Sequence, residues 1–522
     1  MTQTFSLTVG GPTGLALLSG NYAFEFSGFN SSGGVVLAGS FKANGAGNIT
    51  SGVDDFNSVS GHKSEAFTGT YTIGNDNRGQ LVFTTTGTST TRTYDFAIDS
   101  QGDSARMVEF DSTGIRGSGE IALQSVSGCS ASTIPGTGAV GESYVFGLDG
   151  SAANVSGITP GPVNLAGQFT AAASTTPGQP GSLSGEADVN IPGITVVYNP
   201  NNAPVLSGTF NTSSNSGVCT MSLLPQQTSS SMNFSVYPVS GSASALTEAF
   251  LIETDTVSSS TPYLTVGKLM QQCVLVSGAC ATSPFSGQAP GTFFTASSVA
   301  AMKGQFFNST TYVSDVAVAE LVGTGGNSFT MSVVENQAGT IDTYGSPFQA
   351  TFNALDPDGR ASTNLSLPFA PILYIINQNE ALCIGQINDN PFLGTFEPQS
   401  MGTSSSFSSS TVAGTLIEGT LFPSTALVLN LSGVVTLTNT TNTAGTVAGT
   451  QDVSTTSANT AGIAVTGTYA LSATGATDGS GTFTLTTPAP FTASFFIVSP
   501  TKLVMVSTTA GDSNPILLVL GH

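Results

Sequence analysis

A short sequence pattern recurs four times along the chain. Gly-Thr-Tyr at 69–71 returns as Gly-Thr-Phe at 208–210, more loosely as Ala-Thr-Phe at 350–352, and again as Gly-Thr-Tyr at 467–469. The recurrences are separated by the length of a small domain, which is far longer than the period of a solenoid repeat. The 522-residue chain is therefore predicted to consist of four diverged copies of one module.

An acidic residue recurs ahead of this pattern. Asp55, Asp188 and Asp452 each follow a glycine-containing turn, and copy three keeps only an acidic remnant near Glu335. A carboxylate that accepts backbone N–H bonds from a neighbouring turn would explain the recurrence by fold alone. The alternative is one acidic ligand per module at a barrel mouth. We prefer the turn-capping interpretation, because a ligand site rarely persists across copies while other positions drift.

Composition and apolar spacing indicate an all-β protein. The chain contains 62 Gly and 25 Pro together with 39% hydrophobic residues, which describes a turn-rich chain with enough apolar side chains to fold. In copy one the apolar residues alternate with polar ones, as in Tyr22, Phe24 and Phe26. Period-two alternation with Gly, Asn and Asp between the runs predicts antiparallel strands joined by tight turns.

Copy one contains about eight such runs. They begin near residues 21, 35, 48, 67, 80, 93, 106 and 118. Eight meandering strands can close into an up-and-down barrel, which has no free edge and fills its interior with side chains. Glycines inside strands, such as Gly39 and Gly167, favour sharp bending and hence a barrel. We therefore predict a tandem array of four antiparallel up-and-down barrel-like modules, with β-sandwich modules as the alternative.

Stretches rich in Ser, Gly, Thr and Pro fall between the copies and predict linkers. They divide the chain into an N-terminal strand at 1–10 and four β-barrel-like repeats at 11–127, 128–278, 279–399 and 400–522. The N-terminal strand stands apart from the repeat. It is interpreted as the remnant of a preceding immunoglobulin-like domain or, alternatively, as a donor strand that completes a neighbouring subunit's sheet.

The charge of the chain is low in density and strongly acidic. Ten Lys and Arg residues face 31 Asp and Glu, which gives a formal net charge of −21. Nucleic acids and anionic membranes are bound through Lys and Arg, so neither is an expected partner. No apolar run approaches the length of a membrane span. The first residues lack the features of a signal peptide, so export would require a leader outside this sequence.

Calcium binding is the sharper interpretation of the acidity. Asp356 and Asp358 belong to an Asp-Pro-Asp-Gly segment with the opening of an oxygen-ligand loop, and Asp55, Glu109 and Asp111 could supply further carboxylates. No full twelve-residue loop follows the segment, however, and copy one has an Asn- and Asp-rich turn at the corresponding place. A hairpin turn is the preferred interpretation, and no other cofactor is expected.

The sequence offers little for catalysis. Its two histidines are His62, in a Gly/Ser loop, and His522, at the last position, and neither promises the held imidazole of a catalytic triad. Clustered His and Cys for zinc, phosphate loops and dinucleotide fingerprints are missing. Glu109 and Asp111 could form a glycosidase-type pair, but one pair on one strand is more often structural. We expect a non-enzymatic protein, with a secreted hydrolase as the lesser alternative.

The five cysteines allow two disulfide schemes. One scheme pairs Cys129 with Cys219 and Cys280 with Cys383. The other closes Cys273 to Cys280 and leaves Cys383 free. Spacing alone does not decide between them, and buried free thiols are an equally good interpretation of Cys219 and Cys383.

The aromatic content gives little support to ligand binding inside the modules. Trp is absent and Tyr numbers 11, whereas the 32 Phe recur at strand positions and are expected to fill the barrels. A barrel packed with Phe leaves little room for a ligand. A small-molecule ligand is therefore not expected.

Several segments of copy one carry a family resemblance. They are Leu18–Phe24, Ala38–Phe41, Asn48–Asp55, Gly69–Thr72, Arg78–Leu81 and Glu109–Gly114. Together they resemble a repeat of large secreted proteins from acidobacteria, often located beside immunoglobulin-like domains, and the likeness covers most of residues 18–124. The resemblance implies an extracellular or envelope protein and supplies no activity or site residues.

The expected function is that of an extracellular or cell-surface structural or adhesive repeat protein. Self-association into filaments or higher assemblies, or contact with other surface proteins, is the expected kind of partnership. The alternative is a binding module in which the barrels, or the clefts between them, hold a small molecule, a glycan or calcium.

Overall fold

The computed structural model describes the chain between residues 13 and 521, with gaps. The described ranges are 13–126, 142–154, 160–174, 176, 179–191, 204–211, 218–228, 230–241, 246–258, 260–276, 279–280, 285, 287–343, 347–363, 371–386, 390–402, 404–421 and 429–521. The predicted N-terminal strand at 1–10 lies outside them.

The first eight strands form a closed antiparallel barrel, here named barrel 1. Its strands are β1 (Ser19–Asn30), β2 (Gly33–Asn44), β3 (Asn48–Ser58), β4 (Lys63–Ile73), β5 (Arg78–Thr85), β6 (Thr91–Ile98), β7 (Ser104–Glu109) and β8 (Arg116–Leu123). Each strand pairs with the next, and β8 returns to pair with β1. The strands begin close to the predicted positions, because alternating side chains face the core along each strand.

Barrel 2 is also closed, through pairing of β16 with β9. Its strands are β9 (Glu142–Ala152), β10 (Gly161–Ala172), β11 (Gly181–Asn190), β12 (Val205–Asn211), β13 (Cys219–Pro225), β14 (Met232–Gly241), β15 (Leu246–Glu253) and β16 (Tyr263–Gln271). A small two-stranded sheet follows, made of β17 (Leu275–Val276) and β18 (Ala279–Cys280).

The third sheet, named barrel 3, departs from this plan. Its strands are β19 (Ser298–Phe307), β20 (Tyr312–Gly325), β21 (Ser328–Gln337), β22 (Thr340–Asp342), β23 (Phe348–Thr351), β24 (Arg360–Ser362), β25 (Pro371–Asn377), β26 (Glu380–Gly385) and β27 (Phe392–Pro398). The fourth strand of the plan is split into β22 and β23, which pair with different parts of β21. Within the described ranges, one isolated bridge between Phe352 and Thr363 joins the β23 side of the sheet to the β24 side.

Barrel 4 is closed through pairing of β35 with β28. Its strands are β28 (Gly414–Thr420), β29 (Asn430–Asn439), β30 (Ala444–Ser454), β31 (Asn459–Leu471), β32 (Ser480–Thr487), β33 (Phe491–Ser499), β34 (Lys502–Ser507) and β35 (Leu517–Gly521). The helices of the described residues are short: two 3-10 turns, Gly14–Leu17 and Pro290–Thr292, and the α-helix Gly475–Asp478. None of these helices is long and apolar enough to cross a membrane.

The prediction of tandem barrel-like modules is confirmed, and the sandwich alternative is wrong. Each barrel has its own buried apolar core. Glycine permits this packing where an aromatic ring lies against the neighbouring strand. If Gly39 carried a Cβ atom, that atom would lie 2.6 Å from the ring of Phe24, and a Cβ atom at Gly167 would lie 2.6 Å from the ring of Phe146. The two predicted strand glycines therefore make room for the core aromatics.

The four barrels pack side by side in a ring. Three interfaces are apolar: Ala38 of barrel 1 shares a buried cluster with Phe250 of barrel 2, Val145 of barrel 2 with Ile384 of barrel 3, and equivalent strands join barrel 3 to barrel 4. The fourth interface, between barrels 4 and 1, is polar. There the Arg116 Nε donates to the carbonyl oxygen of Thr455 at 2.6 Å.

One asparagine hydrogen bond recurs around the ring. The side-chain Nδ2 of Asn57 donates to the carbonyl of Glu253 at 2.8 Å, that of Asn190 to Gly385 at 3.1 Å, and that of Asn336 to Ser507 at 2.6 Å. In each case a third-strand asparagine reaches the end of the seventh strand in the next barrel. At the closing interface Asn459, on β31, donates to the Asp111 carbonyl of barrel 1 at 3.0 Å. The interfaces are therefore head-to-tail. The fourth interface joins barrel 4 back to barrel 1, which closes the ring.

Candidate functional site

The centre of the ring holds a space between the barrels. Strands one, seven and eight of the barrels face this centre, and together they bound a cavity of about 540 Å³, which we name the central cavity. All four barrels contribute side chains to it. Its volume lies within the range of about 300–1,000 Å³ that is usual for small-molecule sites.

Charged side chains are concentrated in the central cavity, although they are rare in the chain as a whole. The acidic lining residues are Glu25, Glu120, Asp149, Glu248, Glu380 and Glu397, and the basic ones are Arg106, Lys268, Lys303 and Lys502. Four of the ten Lys and Arg residues of the protein therefore line this one space. Because charged groups are costly to bury, their concentration here requires compensating partners.

Ion pairs join the barrels around the cavity. Lys268 of barrel 2 bonds Glu120 of barrel 1, and Arg106 donates to the same carboxylate at 2.7 Å. Although burial acts in the opposite direction, these two cations hold the pKa of Glu120 down at about 2. The Nζ of Lys502 lies 2.7 Å from Glu397, which links barrel 4 to barrel 3.

A similar pair links barrels 2 and 3. Lys303 on β19 bonds the carboxylate of Asp149 on β9. Burial lowers the pKa of Lys303 and raises that of Asp149, and each shift is opposed by the charge of the partner. The pair is therefore an interface contact that depends on both partners being present.

Glu25 forms no ion pair of this kind within the described residues, although the charges of Lys268 and Lys303 act to lower its pKa. Its side chain is fully buried, and neither carboxylate oxygen has a hydrogen-bond partner there. Burial, together with the neighbouring carboxylate of Glu120, raises the pKa of Glu25 to about 8. Glu25 is therefore largely protonated at neutral pH.

The central cavity has a buried end and a solvated end. Glu248 and Lys268 keep 34% and 35% of their side-chain surface exposed, and Glu397 and Lys502 keep 33% and 29%. Solvent therefore reaches the cavity on the side of these four residues, whereas Glu25 lies at the buried end.

The predicted calcium residues fall in separate places: Asp356 and Asp358 in a turn of barrel 3, and Asp55 and the Glu109–Asp111 pair in barrel 1. The Asp356 Oδ1 accepts the backbone N–H of Asp358 at 3.0 Å and of Arg360 at 2.9 Å, which is the geometry of a hairpin turn. Asp111 accepts the N–H groups of Thr113 and Thr93. Within the described residues no group of three or more His, Cys, Asp or Glu side chains is arranged to hold a metal ion.

Glu109 lies at the end of β7 and is almost completely buried. Burial and the adjacent Asp111 carboxylate raise its pKa well above the ordinary value. The pair sits at the end of barrel 1, outside the central cavity. Glu253 of barrel 2 occupies the corresponding strand end, where it accepts the hydroxyl of Thr265 at 3.0 Å.

The recurring aspartates join neighbouring barrels, which neither sequence interpretation foresaw. Asp55 of barrel 1 accepts the hydroxyl of Tyr237 of barrel 2 at 2.6 Å, and Asp188 of barrel 2 accepts that of Tyr374 of barrel 3 at 2.7 Å. Asp452 of barrel 4 is bound by a cation of barrel 1. Among the bonds seen in the described residues, a backbone N–H bond of the kind that turn capping predicts is formed by Asp452, which also accepts the N–H of Gly462 at 2.7 Å.

Arginines complete two of these contacts. Arg360 of barrel 3 binds Asp188 through two nitrogens, at 2.6 and 2.9 Å, in a buried bidentate pair. Arg78 of barrel 1 binds Asp452 at 2.5 Å, and this contact belongs to the polar interface between barrels 4 and 1.

The interface between barrels 3 and 4 has an apolar version of the same contact. Val334 takes the strand position of Asp188, since it pairs with Val318 as Asp188 pairs with Ala166. Phe496 takes the position of the donor tyrosine, and the two residues belong to one apolar cluster. The loss of the acid at Val334 is thus matched by the loss of the hydroxyl at Phe496.

His62 differs from the prediction. Its Nε2 lies 2.8 Å from the Oδ1 of Asp55, so the imidazole is held after all. The hydroxyls of Tyr237 and Ser235 also bond Asp55, and together with His62 they keep the pKa of this carboxyl low despite burial. Both hydroxyls bond the carboxylate of Asp55, so the group is a contact between barrels 1 and 2.

The cysteines follow the second of the two schemes in the described residues. Cys273 is bonded to Cys280, and Cys383 is a buried free thiol. Cys219 is also disulfide-bonded, while Cys129 lies outside the described ranges. The predicted Cys280–Cys383 bond is wrong, because Cys280 is bonded to Cys273 and Cys383 is a free thiol.

The central cavity itself was missed by the sequence analysis. Its residues come from strands of all four copies, and no local motif marks them. The one signal in the sequence is the scarcity of Lys and Arg. In the structure, six of the ten basic side chains bind a neighbouring barrel, namely Arg78, Arg116, Lys268, Lys303, Arg360 and Lys502. A chain with so few cations uses most of them between its modules.

Comparison with known proteins gives no functional assignment. No protein-family model matches the chain, and no curated protein does. Among solved structures, the isotype 1 transferrin binding protein B from serogroup B Neisseria meningitidis is similar over 98% of this chain and 78% of its own, with 9% identity and a TM-score of 0.16. A similarity this low supports no inference about fold or function.

Proposed function

We propose that the protein is a non-enzymatic structural unit of the cell surface or extracellular space, built as a preassembled ring of four barrels. The observation that carries this proposal is the closure of the ring by head-to-tail contacts at every interface. Buried apolar clusters at three interfaces add the stabilisation expected of permanent contacts. Such a unit holds its loops at fixed positions.

The filled barrels support this role. Their interiors contain large aromatic side chains, including Phe24, Phe83 and Phe146, all of them buried. A packed interior leaves the barrels as rigid blocks rather than ligand containers. The outer surface carries few charges, because charged residues amount to only 8% of the chain and many of the cations lie between barrels.

Adhesion or self-association would then use the outer loops and strand ends. Neutral Ser- and Thr-rich loops favour contacts through hydrogen bonds over contacts through charge. The predicted export and the resemblance of copy one to a repeat of secreted acidobacterial proteins agree with this role.

A binding module is the second candidate, and the central cavity favours it. The cavity is of suitable size and carries convergent polar groups. It lies between the barrels, which is one of the places where this alternative expects a ligand.

The location is tested by antibody labelling of cells that produce the protein, before and after lysis. The structural proposal predicts labelling of intact cells or recovery from the medium. Labelling that requires lysis would contradict a surface role. The rigid ring is tested in parallel by calorimetry of the purified chain, where one main unfolding transition is expected instead of four independent ones.

A further inference from the structure

Two carboxyl groups of the central cavity form no ion pair in the described part of the chain, although the charges of nearby lysines lower the pKa of each. Glu25 has neither an ion pair nor a hydrogen bond there, and its side chain is fully buried. Glu380 has no Lys or Arg within ion-pair distance. Burial, and after it the carboxylates of Glu397 and Glu248, raise the pKa of Glu380 to about 7.

Acidic side chains also outnumber basic ones in the lining of the cavity. Six carboxylates face four cations, and the four cations are engaged by Glu120, Glu248, Asp149 and Glu397. The remaining two carboxylates are Glu25 and Glu380. A bound cation would favour the ionised form of these two carboxyls and balance the negative charge that this form carries, whereas an anion would disfavour it.

One wall of the cavity is aliphatic. It is formed by barrels 3 and 4 through Leu382, Leu393, Val504, Leu517 and Val519. An aliphatic wall suits a hydrocarbon body and offers no oxygen ligands to a metal ion. The described residues also contain no cluster of three or more acidic, His or Cys side chains that could hold a metal.

We propose that the central cavity binds a small organic cation, with an ammonium group facing Glu25 and an aliphatic body against the wall formed by barrels 3 and 4. Glu380, towards the solvated end, accepts a second positive or hydrogen-bond-donating group. This inference goes beyond the structural role proposed above and does not depend on it.

Binding of such a cation is coupled to release of a proton. At pH 7 the carboxyl of Glu25 is mostly protonated, because burial and Glu120 raise its pKa to about 8. The groups that face it are Glu120 on β8, Lys268 on β16, Lys303 on β19 and Asp149 on β9. An arriving ammonium group favours the ionised form, so up to one proton leaves as the cation enters.

Isothermal titration calorimetry with 1,5-diaminopentane tests the proposal. Its controls are 1-pentanol, pentanoate and calcium chloride. The diamine is expected to bind, with an enthalpy that changes with the ionisation enthalpy of the buffer at pH 7. The neutral alcohol, the anion and calcium are expected to give no saturable heat.

Variants of the two carboxyls complete the test. Glu25→Gln and Glu380→Gln should each weaken diamine binding at least tenfold, and Glu25→Gln should also reduce the buffer dependence, because one of the two proton-releasing carboxyls is then missing. Glu109→Gln, a buried carboxyl outside the cavity, should leave affinity unchanged. Thermal unfolding of each variant establishes that it is folded.

Three results would overturn the proposal. They are an absence of diamine binding at millimolar concentration by the folded wild-type chain, unchanged affinity in both cavity variants, and preferential binding of calcium or pentanoate. None of these results bears on ring closure, which is measured separately by scattering and calorimetry.

Discussion

Tyr237 of barrel 2 donates its hydroxyl to the Asp55 carboxylate of barrel 1 at 2.6 Å, and both side chains are buried at the interface. The contact joins residues far apart in sequence, and Tyr374 and Asp188 repeat it at the next interface. A charge-assisted bond of this kind is stronger than a neutral one.

Tyr237→Phe is expected to lower the free energy of unfolding by about 1–3 kcal/mol, because Asp55 stays buried with one donor fewer. Urea unfolding followed by circular dichroism measures the change. Tyr469→Phe is the matched control: its buried hydroxyl bonds the Ser409 carbonyl inside barrel 4. Separation of barrel 1 from barrel 2, seen as early proteolytic cleavage between them, should occur in Tyr237→Phe only. Equal protection of both variants would contradict the interface role.

The ring asparagines give a second prediction. Asn57→Ala, Asn190→Ala and Asn336→Ala should each cost about 1–3 kcal/mol, because each leaves a carbonyl of the next barrel without its donor. Asn44→Ala removes an exposed turn contact within barrel 1 and should cost less. Chemical unfolding of the four variants gives the comparison. The ring account fails here if the three interface variants are no less stable than Asn44→Ala.

The apolar interface between barrels 3 and 4 permits a transplant of the polar contact. Val334→Asp alone buries an unpaired carboxyl and should destabilise the chain by several kcal/mol, on the order of 2–5. Adding Phe496→Tyr supplies the hydroxyl that Tyr237 and Tyr374 provide elsewhere. A double-mutant cycle is expected to show favourable coupling of about 1–3 kcal/mol. Coupling near zero would mean that the two positions are not equivalent to the natural pairs.

Much of the fold was predictable from the sequence because it follows from local patterns of apolar and polar residues. Alternating apolar residues such as Tyr22, Phe24 and Phe26 mark which side of each strand faces the core, and that pattern is enough to place strands in a barrel. The split fourth strand of barrel 3 was not predictable, since it depends on how β22 and β23 pair with one neighbour.

The candidate site was not predictable for a physical reason. Glu120 and Lys268 lie in different barrels, and their ion pair forms only when the barrels pack against each other. Asp55 is a second example: the sequence shows that this aspartate recurs, but its tyrosine partner belongs to the next module. Interpretation of one copy at a time looks for partners within that copy, whereas these residues have theirs across an interface.

The pH dependence of stability should expose Glu418. Burial raises the pKa of this carboxyl from 4.5 to about 8, so the folded chain keeps a proton that the unfolded chain loses. The stability that Glu418 contributes is therefore full below about pH 4.5 and is lost as the pH rises towards about 8, at about 1.4 kcal/mol per pH unit. Glu418→Gln should remove this slope.

Unfolding curves of Glu418→Gln and the wild type between pH 5 and 9 measure the difference. The variant should gain relative stability as the pH rises to about 8, and the difference should then level off. Asp103→Asn, which changes an exposed acid of barrel 1, serves as the control and should track the wild type. A constant difference between Glu418→Gln and wild type across this range would show that Glu418 ionises normally in the folded chain.

Cys383 gives a prediction for thiol chemistry. It is buried as a free thiol, and burial raises its pKa strongly, so it should not react with a thiol reagent such as 5,5′-dithiobis(2-nitrobenzoic acid) in the native protein. In denaturant without reductant one additional thiol should react. That additional thiol should be missing in Cys383→Ala. Rapid reaction of Cys383 in the native chain would contradict its position in the barrel 3 core.

Small-angle X-ray scattering of the purified chain tests the closed ring most directly. A compact chain of 522 residues has a radius of gyration of about 24 Å, and the ring predicts a value near this one that does not change with ionic strength. Four barrels joined only by linkers would give a clearly larger radius and an elongated distance distribution. That result would contradict the closure of barrel 4 on barrel 1 and with it the existence of the central cavity.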